Sequence, residues 1–189
     1  MVLIFTVILS SFRIVDVIIH KKQFVLYQEL MMLGFIIYVM CLFHVVSFQD
    51  VSWSTSNFIP FKEMFRYPLF STLFFRNVVG NMLMFMPYGF FISYFLKLDK
   101  KRAIVLLSLL VSCTIETTQY LIGRVFDVDD ILLNILGGLF GYYCYRFMGE
   151  CKDRLPMFLK NAIFYNTIVI VVLLLIVGYI YRILEVGII

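Results

Sequence analysis

The stretch SCTIETTQYLIGRVFDVDDILLNILGGLFG, residues 112–141, decides how this chain is read, because it gathers four carboxylates, Glu116, Asp127, Asp129 and Asp130, within or beside two hydrophobic segments. It reads as two helices joined by a short turn near Gly123 to Phe126. At the i, i+3, i+4, i+7 spacing of a helix, Glu116, Gln119, Tyr120 and Gly123 share one face of the first. By the same arithmetic Asp127, Asp130, Asn134, Gly137, Gly138 and Gly141 share one face of the second. Ionisable groups inside a membrane are costly, so such a cluster is by default a candidate functional site.

That the surroundings are a membrane follows from composition. Of 189 residues, 62% are hydrophobic and only 15% charged, and the mean hydropathy is +0.97; a soluble domain of this size is excluded. A span needs about 20 apolar residues. Six runs qualify, near 1–19, 28–48, 77–97, 103–123, 128–148 and 163–184. Their continuity argues for helices rather than the short alternating strands of a barrel. The expected architecture is therefore all-α, a polytopic bundle of about six transmembrane helices forming one membrane domain over 1–189, with no linker, repeat or low-complexity tract. The amino-terminal run lacks a basic start and a small-residue cleavage site, and reads as a retained span.

Basic residues predict the orientation. Lys21, Lys22, Lys97, Lys100, Lys101, Arg102, Arg146, Lys152, Arg154 and Lys160 follow the odd-numbered spans, whereas Lys62, Arg66, Arg76, Arg124 and Arg182 fall on the opposite side. Ten against five places both termini and the polar cluster outside the cytoplasmic membrane. The net charge of +4 belongs to these cytoplasmic turns and does not indicate a nucleic-acid partner. Cys41, Cys113, Cys144 and Cys151 show no metal-type spacing and read as small apolar fillers, with no disulfide expected.

Within the spans, Arg13 and Asp16 are three residues apart and can pair. His44 stands alone near the outer end of the second span, where an interfacial hydrogen bond is the ordinary role. Residues 49–76 carry many Phe residues among scattered Lys and Arg, which suits a chain lying in the interface, or folding back over the bundle mouth as a lid or binding loop. The third span opens RNVVGNMLMFMPYGFF, with Asn77, Gly80, Asn81, Met84 and Tyr88 on one face and Pro87 introducing a kink. Helix rise puts Glu116 about 12 Å and Asn134 about 10 Å below the outer surface, near the depth of Asn77 and Asn81. Three helices thus bring polar groups to one leaflet.

These motifs resemble the VanZ-like family of membrane proteins, whose founding member is an accessory protein of teicoplanin resistance in Gram-positive bacteria. The resemblance is carried by Asn81, Phe85, Pro87 and Gly89; by Glu116 and Gln119; by Arg124, Asp127 and Asp130; and by Asn134, Gly137 and Gly138. Asn57, Pro60 and Phe61 match ahead of the third span, and the similarity runs over roughly 25–185. It implies an envelope protein and low-level protection against lipid-anchored glycopeptides, with no settled reaction.

The residues themselves leave several functions open. Asn77, Asn81, Glu116, Gln119, Arg124, Asp127, Asp130 and Asn134 suit a pocket for an amphiphile: a membrane lipid, a lipid-linked cell-wall precursor or a lipoglycopeptide antibiotic. An enzyme acting on a lipid-linked envelope precursor would use Glu116 and Asp130 as its catalytic acid and base. Glu116, Asp127 and Asp130 offer hard oxygen ligands for Mg or Ca, though without His, which makes metal-assisted chemistry a variant of the enzyme reading; the expectation is no metal and no other cofactor. A proton-coupled transporter lacks the inverted repeats common in that class. A Glu116–Arg124 network that only holds the helices together is the remaining reading.

Overall fold

The computed structural model describes residues 2–21, 24–48, 56–62, 64–68 and 70–186. Lys22 and the opening of the outer segment, 49–55, lie outside the described residues. Among the described residues there is no strand, and the six predicted spans each fall on a long helical segment. These are α1 (Val2–Ile19), α2 (Leu26–Phe48), a continuous segment of α3 (Thr72–Phe74), a π-helical turn (Phe75–Val79) and α4 (Gly80–Leu96), then α5 (Lys101–Leu121), α6 (Val128–Arg154) and α7 (Ala162–Val186). Three stretches among the described residues are long and apolar enough to cross a membrane: Leu26–His44, Thr72–Leu96 and Lys101–Leu121. The protein is a helical membrane protein.

Two compact units are present. One comprises Leu3–Ile36 and Cys151–Ile189. Within it Arg13 pairs with Asp16 at 3.0 Å, as its spacing predicts, and also with Glu29 at 3.0 Å through a two-pronged contact. Glu29 comes from the next helix, so no periodicity within α1 reveals it. The Tyr27 amide donates to Asn166 Oδ1 at 3.1 Å, and the Tyr27 and Tyr165 rings lie 5.4 Å apart, tying α2 to α7.

The second unit, Ile37–Glu150, holds the polar cluster. Its apolar core is Phe85, Tyr88, Ile104 and Tyr142, with Tyr38, Leu42, Ile92 and Leu139 packed around it. The glycines of α6 set the spacing of the helices. A Cβ on Gly137 would overlap the Met82 carbonyl oxygen, one on Gly141 the Met86 carbonyl oxygen, and one on Gly138 the Ser108 hydroxyl. From α4, Gly89 approaches the Gly138 carbonyl just as closely. So α6 touches α4 backbone to backbone, and α5 through a serine, the packing that small residues allow where helix association gains little from the hydrophobic effect.

The helix runs on through Pro87, and the irregular turn of this segment lies more than two turns earlier, at Phe75–Val79. Such π-turns insert an extra residue and re-aim the side chains they carry. Here those include Arg76 and Asn77.

Gly141→Ala is expected to lower the thermal stability of the purified protein by about 1–3 kcal/mol through overpacking. Gly149→Ala, on the same helix with nothing within 4 Å of an added Cβ, should leave the unfolding temperature unchanged. Equal tolerance at both positions in a detergent melting assay would show that α4 and α6 are not in backbone contact.

Candidate functional site

The buried stripe of α5 is Ile104, Ser108, Ser112, Glu116 and Gln119, stepping by four and finally by three. This corrects the predicted face. Tyr120 is 56% exposed and Gly123 is exposed as well, so neither joins the cluster. Gly123 has a different task. With φ at +84° it ends the helix in a left-handed turn: its N–H donates to Tyr120 O at 3.1 Å, and the Arg124 N–H to Gln119 O at 2.9 Å. That pair of bonds is a Schellman cap. It reverses the chain so that Arg124 comes back over Gln119.

The side chains complete the link. With its amide oriented to satisfy both neighbours, Gln119 donates to Glu116 Oε1 at 3.1 Å and accepts from Arg124 Nη1 at 2.8 Å. Glu116, only 2% exposed, uses its other oxygen to accept the Asp127 N–H at 3.0 Å. The carboxylate therefore fastens the end of α5 to the start of α6. Across the unit, Asn81 Nδ2 of α4 donates to Asp130 Oδ1, and Asn134 Nδ2 donates to Ser112 Oγ at 2.9 Å.

Asp127 takes a structural post. It is the N-cap of α6, accepting the Asp129 N–H at 2.9 Å through Oδ1, the same oxygen that Asn57 Nδ2 reaches at 2.9 Å. Asn57 is paired with this turn by a single parallel bridge, its N–H donating to Phe126 O at 2.8 Å and its carbonyl accepting from Val128 N at 3.1 Å. Phe58 stacks on Phe126, centroids 5.4 Å apart.

Asp129 is the residue that helical spacing missed. It is 1% exposed, and its carboxylate accepts the backbone N–H groups of Phe61 and, at 3.0 Å, Met64. Periodicity left it off the face shared by Asp127, Asp130 and Asn134, and nothing in the pattern of α6 indicates a partner nearly seventy positions earlier. The available signal was Asn57-x-x-Pro60-Phe61, a polar residue and a turn in a segment otherwise rich in Phe. Residues 56–62 and Met64 thus form a strap across the α5–α6 turn.

One cavity opens beside this network, with a volume of about 210 Å³. Its lining includes Asn77 and Asn81; Glu116 and Gln119; and Arg124, Asp130 and Asn134. Seven of the eight predicted site residues therefore meet around one space, and the eighth, Asp127, stands behind it as the cap. Arg76 also lines it, a contribution of the π-turn that α-helical spacing does not predict. The predicted fourth-turn neighbour Tyr88 does not; it is buried in the apolar core with its hydroxyl toward Leu107 O at 3.4 Å. Of the described residues in the 49–76 segment expected to serve as a lid or binding loop, Arg76 alone lines the cavity. The described residues of the strap brace the turn. His44 is exposed and lines no part of it. Among the described residues no three acidic, His or Cys side chains gather closely enough to hold a metal ion.

A family model described as VanZ/LLP1 matches residues 30–149, more than half of the chain. The chain belongs to the VanZ/LLP1 family. The match is narrower than the 25–185 that the motifs suggest, and it coincides closely with the compact unit Ile37–Glu150; the VanZ/LLP1 region is thus the part that carries the cavity, the strap and the glycine contacts. No curated protein and no solved structure matches.

Asp129→Ala should release the strap while leaving the cavity lined as before. Hydrogen bonds to a charged acceptor contribute about 1.5–3 kcal/mol, so amide exchange at Phe61 and Met64 is expected to accelerate by about tenfold or more. Unchanged protection there, with the variant folded, would remove Asp129 from this role.

Proposed function

We propose that this VanZ/LLP1 protein binds the polar head of an amphiphile of the bacterial envelope at the outer leaflet of the cytoplasmic membrane, the head entering the cavity between α4, α5 and α6 and the tail remaining in lipid. The observation that carries this reading is the convergence on one cavity of amide and carboxylate groups from α4, α5, α6 and the π-turn with guanidinium groups from the π-turn and the α5–α6 turn. A network serving stability alone would close on itself and leave no such space. At about 210 Å³ the cavity is smaller than the few hundred Å³ that a drug-sized ligand occupies. It suits a head group and not a whole glycopeptide.

Binding is favoured over catalysis by the condition of the carboxylates. Glu116 has both oxygens committed to donors of the protein itself, whereas Asp130 gives one oxygen to Asn81 and keeps the other for a ligand. A general acid or base needs a freer path to its substrate. Low-level protection against teicoplanin would then follow from occupancy or masking of a lipid-linked wall precursor, the surface at which a lipoglycopeptide acts.

Outer-leaflet placement rests on the bias of basic residues. In a Cys-free background, a cysteine at Gly123 should react with a membrane-impermeant maleimide on intact cells, and one at Lys100 should not. The reverse pattern would move the cavity to the cytoplasmic face and end the outer-leaflet reading.

Glu116→Gln keeps the shape of the side chain but converts one acceptor oxygen into a donor facing donors. In a host where the parent protein protects against teicoplanin, the variant is expected to lose that protection at equal membrane abundance. Full protection at equal abundance would show that the Glu116 network does not serve function.

A further inference from the structure

We infer that the head group taken by this cavity is a polyol, a hydroxyl-rich unit of the size of one sugar ring, and neither an ammonium nor a bare phosphate. The inference rests on the head-group reading above and adds the chemistry of the group.

The donors and acceptors around the cavity are unequally committed. The side-chain nitrogens of its three deeper amides each donate to a protein acceptor: Asn81 to Asp130, Gln119 to Glu116, and Asn134 to Ser112. One fully buried acceptor of these amides is left over. Asn134 is 5% exposed, and its Oδ1 has no hydrogen-bond partner, although Asn134 lines the cavity. A buried carbonyl oxygen without a donor is unfavourable, and a ligand that donates to it removes that penalty.

Other residues of the lining ask for the opposite. Arg76 and Asn77, presented by the π-turn, bring N–H donors to the same space, and the arginine can only donate. A complementary ligand must therefore donate at one end and accept at the other. An ammonium donates and cannot accept; a fully ionised phosphate accepts and cannot donate. A hydroxyl does both, offering one donor and two acceptor lone pairs, and several hydroxyls on one ring can meet Asn134, Asp130, Asn77 and Arg76 together. The volume leaves room for one such ring.

The test uses the full-length protein in phosphatidylcholine nanodiscs and three single-chain probes that share a tail: octyl β-glucoside, octyl phosphate and octylammonium. Each is titrated below its micellar concentration while the unfolding temperature is followed. Octyl glucoside should raise that temperature saturably, with the other two weaker at equal concentration. Asn134→Ala should increase the half-saturating glucoside concentration by about tenfold. Because that variant also frees Ser112, a second variant is needed that breaks no hydrogen bond. Gly80→Leu serves: Gly80 lines the cavity, and its added Cβ meets only Phe75 O, at 3.6 Å, an ordinary contact. It should fold normally and abolish the glucoside response. If octyl phosphate or octylammonium saturates more tightly and Gly80→Leu abolishes that response, the polyol inference fails while head-group binding stands. If no probe responds to Gly80→Leu, both fail.

Discussion

A buried carboxylate accepting a backbone N–H holds this unit together: Glu116, one turn before the end of α5, bonds the Asp127 amide at the start of α6 at 3.0 Å. In an apolar medium an unmet peptide N–H or an unpaired carboxylate is expensive, and each here resolves the other. The bond also sets the length of the turn between the helices. Gly123, in its left-handed conformation, then returns Arg124 to Gln119, whose amide completes the circuit back to Glu116.

From this tie the remaining polar groups take their places. Asp127, held by its own N–H, is free to cap α6 with its side chain, and the cap fixes where Asp129 and Asp130 point. Asp129 turns to the strap and Asp130 to Asn81. Three acidic residues within four positions thus do three different jobs, because a helix start rotates each by about 100° from the last. The glycine contacts beneath hold α4 and α6 at a distance that a larger side chain would not permit, so the polar groups above them meet at hydrogen-bonding range.

The arrangement leaves a space where the network does not close. Each deep amide nitrogen has a protein acceptor, one buried amide oxygen has no donor, and Arg76 and Asn77 come to the edge because a π-turn rather than an α-turn precedes Gly80. An apolar bundle with a small, incompletely satisfied polar cavity is suited to holding part of an amphiphile while the rest stays in the bilayer.

Hydropathy by itself determined the class of this protein and the position of its helices, because spanning a bilayer demands long apolar runs with all backbone bonds made internally. Helical spacing also located most of the cavity lining, since Asn81, Glu116, Gln119, Asp130 and Asn134 repeat at intervals of three and four within single helices. The family was legible for a related reason: its motifs are these same spaced polar and glycine residues. What spacing could not reach were contacts between distant segments. Periodicity says which residues share a face and not which way that face turns, so Tyr88 went to the core, Tyr120 to the surface, and Asp129 to the strap. Only the packed structure decided those, because burial of an aspartate depends on finding donors, and the donors at Phe61 and Met64 lie in a segment whose local sequence carries no regular period at all.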